Sequence, residues 1–126
     1  MGSAFKSMQD KLAVESNDFQ ALQKDLNRSM SNRQQFVQQY NENDMVFKEL
    51  EKLEEDANVF KLIGPVLIKQ DLVEAKSNVG KRLEFITNET ERLDKMVKSL
   101  ENKQETKHRE ITELQKKVQA LAAQQA

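Results

Sequence analysis

A segment in the middle of the chain, VFKLIGPVLIKQ (59–70), differs from the sequence on either side of it. It contains the one proline and is rich in β-branched and aliphatic residues, which favour strands. Gly64 and Pro65 interrupt it near its midpoint, where they predict a tight turn between two short strands. We therefore expect a β-hairpin over 58–69, with a long arm of the chain on either side.

Each arm repeats large residues, most of them apolar, at alternating intervals of three and four. In the first arm the repeat runs from Phe5 to Leu50, and in the second it runs from Val79 to Leu121. A spacing that averages about 3.5 residues over many turns, with charged residues between, indicates a coiled coil. The two arms are nearly equal in length, so each can be the pairing partner of the other.

The repeats predict one long helix in each arm, over 5–55 and 71–122, within a single domain of residues 1–126. Asp71 can cap the second helix, and Glu74 can bond back to the cap from three residues further on. The fold class is therefore mainly α: a long antiparallel two-helix coiled coil joined by a short central β-hairpin.

One antiparallel register places a core residue of one arm opposite a core residue of the other throughout, for example Phe47 opposite Val79. The polar residues at core positions each oppose an apolar one, and Glu15 can bridge diagonally to Lys107. Because several such compromised layers follow one another, we expect the half of the coiled coil that contains the chain ends to be the weaker half.

The charge composition excludes several classes of partner. Charged residues make up 33% of the 126 residues, and 20 basic residues are mixed with 21 acidic ones for a net charge of −1. This balance argues against a nucleic-acid or anionic-membrane surface, and no apolar run approaches the roughly 20 residues needed to cross a bilayer. The absence of cysteine rules out disulfides and is compatible with a reducing compartment.

The sequence contains no glycine-rich phosphate loop and no zinc or EF-hand ligand spacing. His108, the only histidine, lies on a polar helix flank and is expected to be solvated. We therefore predict neither enzymatic activity nor a cofactor or metal. A cluster of carboxylates precedes the hairpin and is interpreted as a solvated face, or alternatively as a surface that attracts or repels a partner: Glu49, Glu51, Glu54, Glu55 and Asp56.

The hairpin should need other chains, because an isolated two-stranded hairpin is marginal in water and its unpaired edges invite pairing. One interpretation is that it folds down on its own coiled coil. The favoured one is that hairpins of several subunits pair edge to edge into an intersubunit β-barrel. The predicted assembly surface consists of Val59, Phe60, Leu62, Ile63, Val66, Leu67 and Ile68.

The opposite end of the coiled coil is also apolar. Its residues either close the interhelical interface or open transiently to grip apolar surface on another protein, a use that suits flexible methionine. The predicted binding tip consists of Phe5, Met8, Leu12, Leu114, Val118 and Leu121.

Four segments together resemble a known family. They are NVFKLIGPVLIKQDLVEA (58–75), VGKRLEFI (79–86), LQKDLNRSMSNRQ (22–34) and NENDMVFKELEKLEED (41–56). The chain resembles the beta-class prefoldin subunits over about residues 5 to 121, and its single hairpin resembles the beta class rather than the alpha class.

The resemblance implies a cytoplasmic, ATP-independent co-chaperone of two alpha-class and four beta-class subunits, with six coiled coils projecting from a double β-barrel. It implies capture of unfolded actin and tubulin at the coiled-coil tips and their transfer to the group II chaperonin. Without the resemblance, a scaffolding coiled coil that binds no client stays open as an alternative. A nucleotide-driven machine is disfavoured by the missing phosphate loop.

Overall fold

Two long helices and one hairpin make up the chain. The computed structural model describes residues 2–125, with the side chains of 2–124. The elements are α1 (Gly2–Lys52), β1 (Val59–Ile63), β2 (Val66–Gln70) and α2 (Leu72–Gln125). The predicted fold of two long helices joined by a short antiparallel hairpin is confirmed. The second strand extends two residues beyond the Val66–Ile68 run that the apolar pattern marked, because Lys69 and Gln70 continue the pairing with β1.

The connection from α1 to the hairpin is a pair of turns. The Leu53 N–H donates to the Leu50 carbonyl at 3.3 Å, and the Ala57 N–H donates to the Glu54 carbonyl at 3.0 Å. These bonds satisfy carbonyls at and just beyond the helix end. As a result, α1 ends at Lys52, a few residues before the predicted limit.

The helix α2 starts directly after the predicted cap residue, Asp71, but the predicted side-chain hydrogen bonds of the cap are not formed. Asp71 immediately precedes the helix, and its carbonyl accepts the first helical bond from the Ala75 N–H at 2.8 Å. Within the described part of the chain, the side chains of Asp71 and Glu74 form no hydrogen bond, so the predicted capping box is not closed. Both side chains are exposed, and water can satisfy the free N–H groups of the first turn.

The chain divides into two compact units, a hairpin unit (Asn32–Leu93) and a terminal unit (Met1–Ser31 with Asp94–Ala126). In the hairpin unit, Ile86 and Leu93 are each only 2% exposed. A second group of buried residues, Leu50, Leu72 and Ala75, lies at the base of the hairpin. These residues lie on both helices, so burial of their side chains is what holds the helices together in this unit.

Contacts between the helices of the hairpin unit agree with the predicted register to within one residue at two points. The Phe47 ring lies beside Gly80, next to its predicted partner Val79. The Arg82 guanidinium donates to the Asn43 side-chain oxygen at 3.4 Å.

The terminal unit has a thinner apolar core. Leu26 and Leu114 are buried there together with a polar residue, Ser29. The Ser29 hydroxyl donates to the Met96 sulfur at 3.2 Å, one residue from its predicted partner Val97. The described residues include two buried apolar side chains in this unit and five in the hairpin unit, which supports the prediction that this part of the coiled coil is the weaker one.

Candidate functional site

The hairpin turn depends on the conformation of Gly64. Its φ is +58°, a region that L-residues with a side chain rarely adopt. Pro65 follows with its ring-restricted negative φ, and glycine at the first central position of a two-residue loop is the type II′ pattern. This turn matches the natural twist of the strands, and it pairs Ile63 with Val66, which sets the register of the whole hairpin.

That register distributes apolar side chains over both faces of the hairpin. Because side chains alternate along a strand, Phe60, Leu62 and Leu67 lie on one face, while Ile63, Val66 and Ile68 lie on the other. All six are exposed, from 47% at Ile68 to 67% at Leu62. The interpretation that the hairpin folds down on its own coiled coil is therefore wrong for this chain.

The hairpin is anchored at its open end alone. Val59 is half-buried and packs on the cluster of Leu50, Leu72 and Ala75, and Gln70, its cross-strand partner, is half-buried too. The predicted assembly residues thus divide into one anchoring residue, Val59, and six exposed ones. The packing of Val59 fixes the open end of the hairpin against the two helices.

Both long edges of the hairpin present unpaired backbone groups. The Ile63–Val66 pair closes the turn, so its backbone groups bond each other, and the bonded pairs then alternate along the ladder. By this alternation the outward-pointing N–H and C=O groups belong to Phe60 and Leu62 on β1 and to Leu67 and Lys69 on β2. These four residues are therefore those whose backbone can pair with a strand from another chain.

The carboxylates before the hairpin are all exposed. Glu49 forms an ion pair with Lys52 at 3.6 Å, on a part of α1 where both side chains are about three-quarters exposed. Surface pairs of this kind contribute under about 1 kcal/mol. The cluster is a solvated face in the isolated chain, and whether it also meets a partner stays a prediction.

The predicted tip residues all belong to the terminal unit, where they face the interhelical interface. Leu114 is buried, and Phe5, Met8, Leu12, Val118 and Leu121 are half-buried. In this conformation they close the coiled coil. The more exposed large apolar residues of the terminal unit are Val14, at 57%, and Met30, at 52%. Both residues lie off the 3.5-residue repeat, so the periodicity of the sequence does not mark them.

A group of charged residues replaces apolar packing within the terminal unit. The Lys107 ammonium donates to a Glu15 carboxylate oxygen at 2.7 Å, as the diagonal pairing predicted. Asp18 and Glu110 lie 3.8 and 3.7 Å from the same nitrogen. The side chains of Lys107 and Glu15 are 23% and 17% exposed, so this pair is better shielded from solvent than the pairs of Lys48 with Asp44, Lys52 with Glu49, Arg92 with Glu89 and Lys116 with Glu113.

This network shifts the acidity of its two central members in opposite directions. The hydrogen bond from Lys107, with its positive charge, holds the pKa of the Glu15 carboxyl below its usual value. The same bond and the charges of Glu15, Glu110 and Asp18 hold the pKa of Lys107 above its usual value. Both groups are therefore charged at neutral pH, and each stabilises the charged form of the other.

A pH titration of the unfolding temperature should detect this pair. Because the folded-state pKa of Glu15 is lowered, its contribution is present above the unfolded value of about 4.3 and is lost as pH falls through the folded value. We expect Glu15→Gln to lower the unfolding temperature from about pH 5 to 9, and the difference from the unsubstituted chain to shrink below about pH 4. Thermal unfolding followed by circular dichroism measures both.

The matched control is Glu113→Gln. Glu113 is 66% exposed and reaches Lys116 only at 3.9 Å, so its removal should change little at any pH. A Glu15→Gln effect that stays the same down to pH 2 would show that lost packing, and not the ion pair, is responsible.

His108 is exposed, as predicted, and its ring lies 6.3 Å from that of Phe19 at a tilt of 47°. Over the described residues no grouping of histidine, cysteine or carboxylate side chains could hold a metal ion. Between residues 2 and 125, neither helix has a stretch that is both long and apolar enough to span a membrane. Two long helices joined by an exposed apolar hairpin define a class of antiparallel coiled-coil proteins in which a β-hairpin connects the two helices.

Comparison with known proteins narrows this class. Residues 14–125 match the family described as prefoldin subunit. Prefoldin subunit 6 of Arabidopsis thaliana is 45% identical over 124 residues, covering 98% of this chain and 96% of that protein. Prefoldin subunit 6 of Homo sapiens is 44% identical over 119 residues, covering 94% and 92%. The prefoldin beta subunit of Thermococcus strain KS-1 has the same fold, with a TM-score of 0.68 at 20% identity, covering 88% of this chain and 91% of that one.

The chain belongs to the prefoldin subunit family. It is therefore a chaperone subunit of the prefoldin type, and the resemblance drawn from the central motif is confirmed.

Proposed function

We propose that this chain assembles with other prefoldin subunits through its hairpin and captures unfolded proteins with the tip residues of its coiled coil. The assembly is a cytoplasmic hexamer of two alpha-class and four beta-class subunits. It works without ATP, captures clients of the actin and tubulin class, and delivers them to the group II chaperonin. The observation that supports this proposal best is a hairpin whose six large apolar side chains are exposed on both faces.

The energetics of the hairpin favour assembly. Full burial of an aliphatic or aromatic side chain contributes about 1.5–3 kcal/mol, so covering the exposed residues of one hairpin is strongly favourable. The free backbone groups of Phe60, Leu62, Leu67 and Lys69 let that covering take the form of strand pairing. A partner hairpin satisfies both needs, and a closed barrel leaves no edge unpaired.

The case for client capture rests on the terminal unit. Its tip residues are apolar but incompletely buried, and the network around Lys107 interrupts the apolar core beside them. Coiled-coil ends that are held by few buried residues open at low free-energy cost. When they open, Phe5, Met8 and Leu12 on α1 and Val118 and Leu121 on α2 present flexible apolar surface to non-native chains.

Polar substitution of the tip tests this mechanism. In the assembled hexamer, replacing Phe5, Met8, Leu12, Val118 and Leu121 with serine or glutamine should reduce suppression of client aggregation at least severalfold. Assembly should be intact, because none of the five belongs to the hairpin. The measurement is light scattering of a diluted denatured client with and without stoichiometric hexamer.

A matched control replaces Met30, which is 52% exposed and is an apolar residue of the same unit outside the predicted tip. If the variant with all five substitutions still suppressed client aggregation fully, the tip residues would not be the client-binding site. That result would favour the alternative, a scaffolding coiled coil that binds no client. Nucleotide binding detected by calorimetry would contradict the ATP-independent mechanism.

A further inference from the structure

The terminal unit has a groove that is part of neither the hairpin surface nor the predicted tip. It has a volume of about 600 Å³ and opens along one side of the helix pair. Ala21 and Leu22 supply apolar lining from α1, and Thr106 supplies a small side chain from α2. Its charged lining residues are Asp18, Asp25, Lys103, Lys107 and Glu110. We call this feature the acidic groove.

The acidic groove has an excess of negative charge for a structural reason. The Lys107 ammonium is already surrounded by Glu15, Asp18 and Glu110, at 2.7, 3.8 and 3.7 Å. One lysine therefore neutralises only part of the charge of three carboxylates. Among the described residues neither Asp25 nor Lys103, which also lines the groove, forms an ion pair, so the Lys103 ammonium offsets one further carboxylate. Four carboxylates, those of Glu15, Asp18, Asp25 and Glu110, therefore face two lysines, and an excess of negative charge is left.

The α1 residues that line the groove belong to a stripe with helical spacing. Asp18, Ala21 and Asp25 line the groove, and Val14 lies one turn before them, outside the lining. The four residues follow one another at intervals of four, three and four, and all four are exposed. Residues so spaced form one stripe along a helix, with apolar and acidic side chains in alternation. Asp18 and Asp25 are seven residues apart, which is about 10.5 Å along the helix axis. This stripe complements a third helix that has basic residues seven apart beside an apolar row.

We propose that the acidic groove binds amphipathic helical segments of client proteins that have lysine or arginine at an interval of seven residues. This inference rests on the proposed function, since it names a class of client segment. The apolar row of the segment packs on Val14, Ala21 and Leu22, and its basic side chains pair with Asp18 and Asp25. Acidic segments are repelled, so the groove selects among non-native chains that an apolar tip alone would accept equally.

The first test uses the full chain and a synthetic helical peptide of about 18 residues with leucines on one face and lysines seven apart beside them. One control peptide has glutamate in place of lysine, and a second has the same composition with the lysines placed on the opposite face. Titration followed by fluorescence anisotropy should show binding of the first peptide alone.

Charge reversal in the chain provides the matched pair of variants. Asp25→Lys changes the groove, and Glu101→Lys makes the same change in net charge at an exposed residue of the terminal unit outside the groove. We expect Asp25→Lys to weaken peptide binding about tenfold and Glu101→Lys to leave it within twofold. Circular dichroism confirms that both variants keep their helices.

Three results would overturn the proposal: no binding by the unsubstituted chain, equal weakening by both variants, or equal binding of the glutamate peptide. A second experiment addresses the client. Hexamer containing Asp25→Lys should suppress aggregation of a lysine-rich client less well than hexamer containing Glu101→Lys, and equal suppression would remove the client from the proposal. These outcomes do not depend on the tip variants, so failure of the groove and failure of the proposed function are distinguishable.

Discussion

Placing aspartate at both Phe60 and Ile68 is expected to abolish assembly with other prefoldin subunits while leaving the isolated chain folded. The two residues lie on opposite faces of the hairpin and are 54% and 47% exposed in the single chain, so charge there costs little until a partner covers it. In an assembled sheet each aspartate would be buried without a partner, at a cost of several kcal/mol. Because both faces of the hairpin carry a charge in the double variant, neither face can pack against a partner in place of the other.

Light scattering and native mass spectrometry of the chain mixed with its partner subunits measure the effect. We expect the hexamer to be replaced by smaller species at micromolar concentration. The control is Met45→Asp, which introduces the same charge at an apolar residue of α1 that is 68% exposed and lies outside the hairpin. Normal assembly of the Phe60 and Ile68 double variant would rule out the hairpin as the assembly surface.

Ile86→Ala should cause a large loss of stability in the hairpin unit. Ile86 is only 2% exposed, as is Leu93, and the two are the least exposed apolar side chains of the described core. Truncating Ile86 deletes buried methyl and methylene groups and leaves a cavity between two helices, which typically costs about 2–5 kcal/mol. A domain of this size is stable by about 5–15 kcal/mol, so the loss is a large fraction of the whole.

Urea unfolding of the full chain, followed by circular dichroism, gives the change in free energy of unfolding. Val73→Ala is the control: Val73 is on the same helix and is 73% exposed, so its truncation should cost under about 0.5 kcal/mol. Similar midpoints for the two variants would mean that the packing around Ile86 is not what stabilises this unit.

Much of the fold was predictable because local rules and the 3.5-residue repeat point to the same arrangement. Gly64 and Pro65 mark the turn, and the strand that precedes them ends at Ile63 as predicted. The repeat on both arms gave the antiparallel register to within about one residue at Phe47 and at Ser29. It also gave the diagonal pair of Glu15 and Lys107.

Other features depend on residues that no repeat selects. The predicted capping box at Asp71 is not formed. The start of the helix is exposed, so its side chains and backbone N–H groups can form hydrogen bonds with water and need not bond to each other. The edge-on contact between Phe36 and Phe85, with ring centroids 6.4 Å apart, involves an aromatic residue outside the repeat. The acidic groove likewise depends on Asp18, Ala21 and Asp25, which the coiled-coil pattern treats as outer positions.

The sequence by itself determined the element types, the order of the elements, the turn and the pairing of the arms, since periodicity and backbone conformation are local properties. Only the tertiary structure decided which side chains are covered. It left six apolar residues of the hairpin exposed on both faces. Of the six predicted tip residues, it buried Leu114 and left the other five half-buried. It also enclosed the Lys107 ammonium among three carboxylates. Burial and the charge around a group depend on what a second helix brings into contact, and no single stretch of sequence specifies that contact.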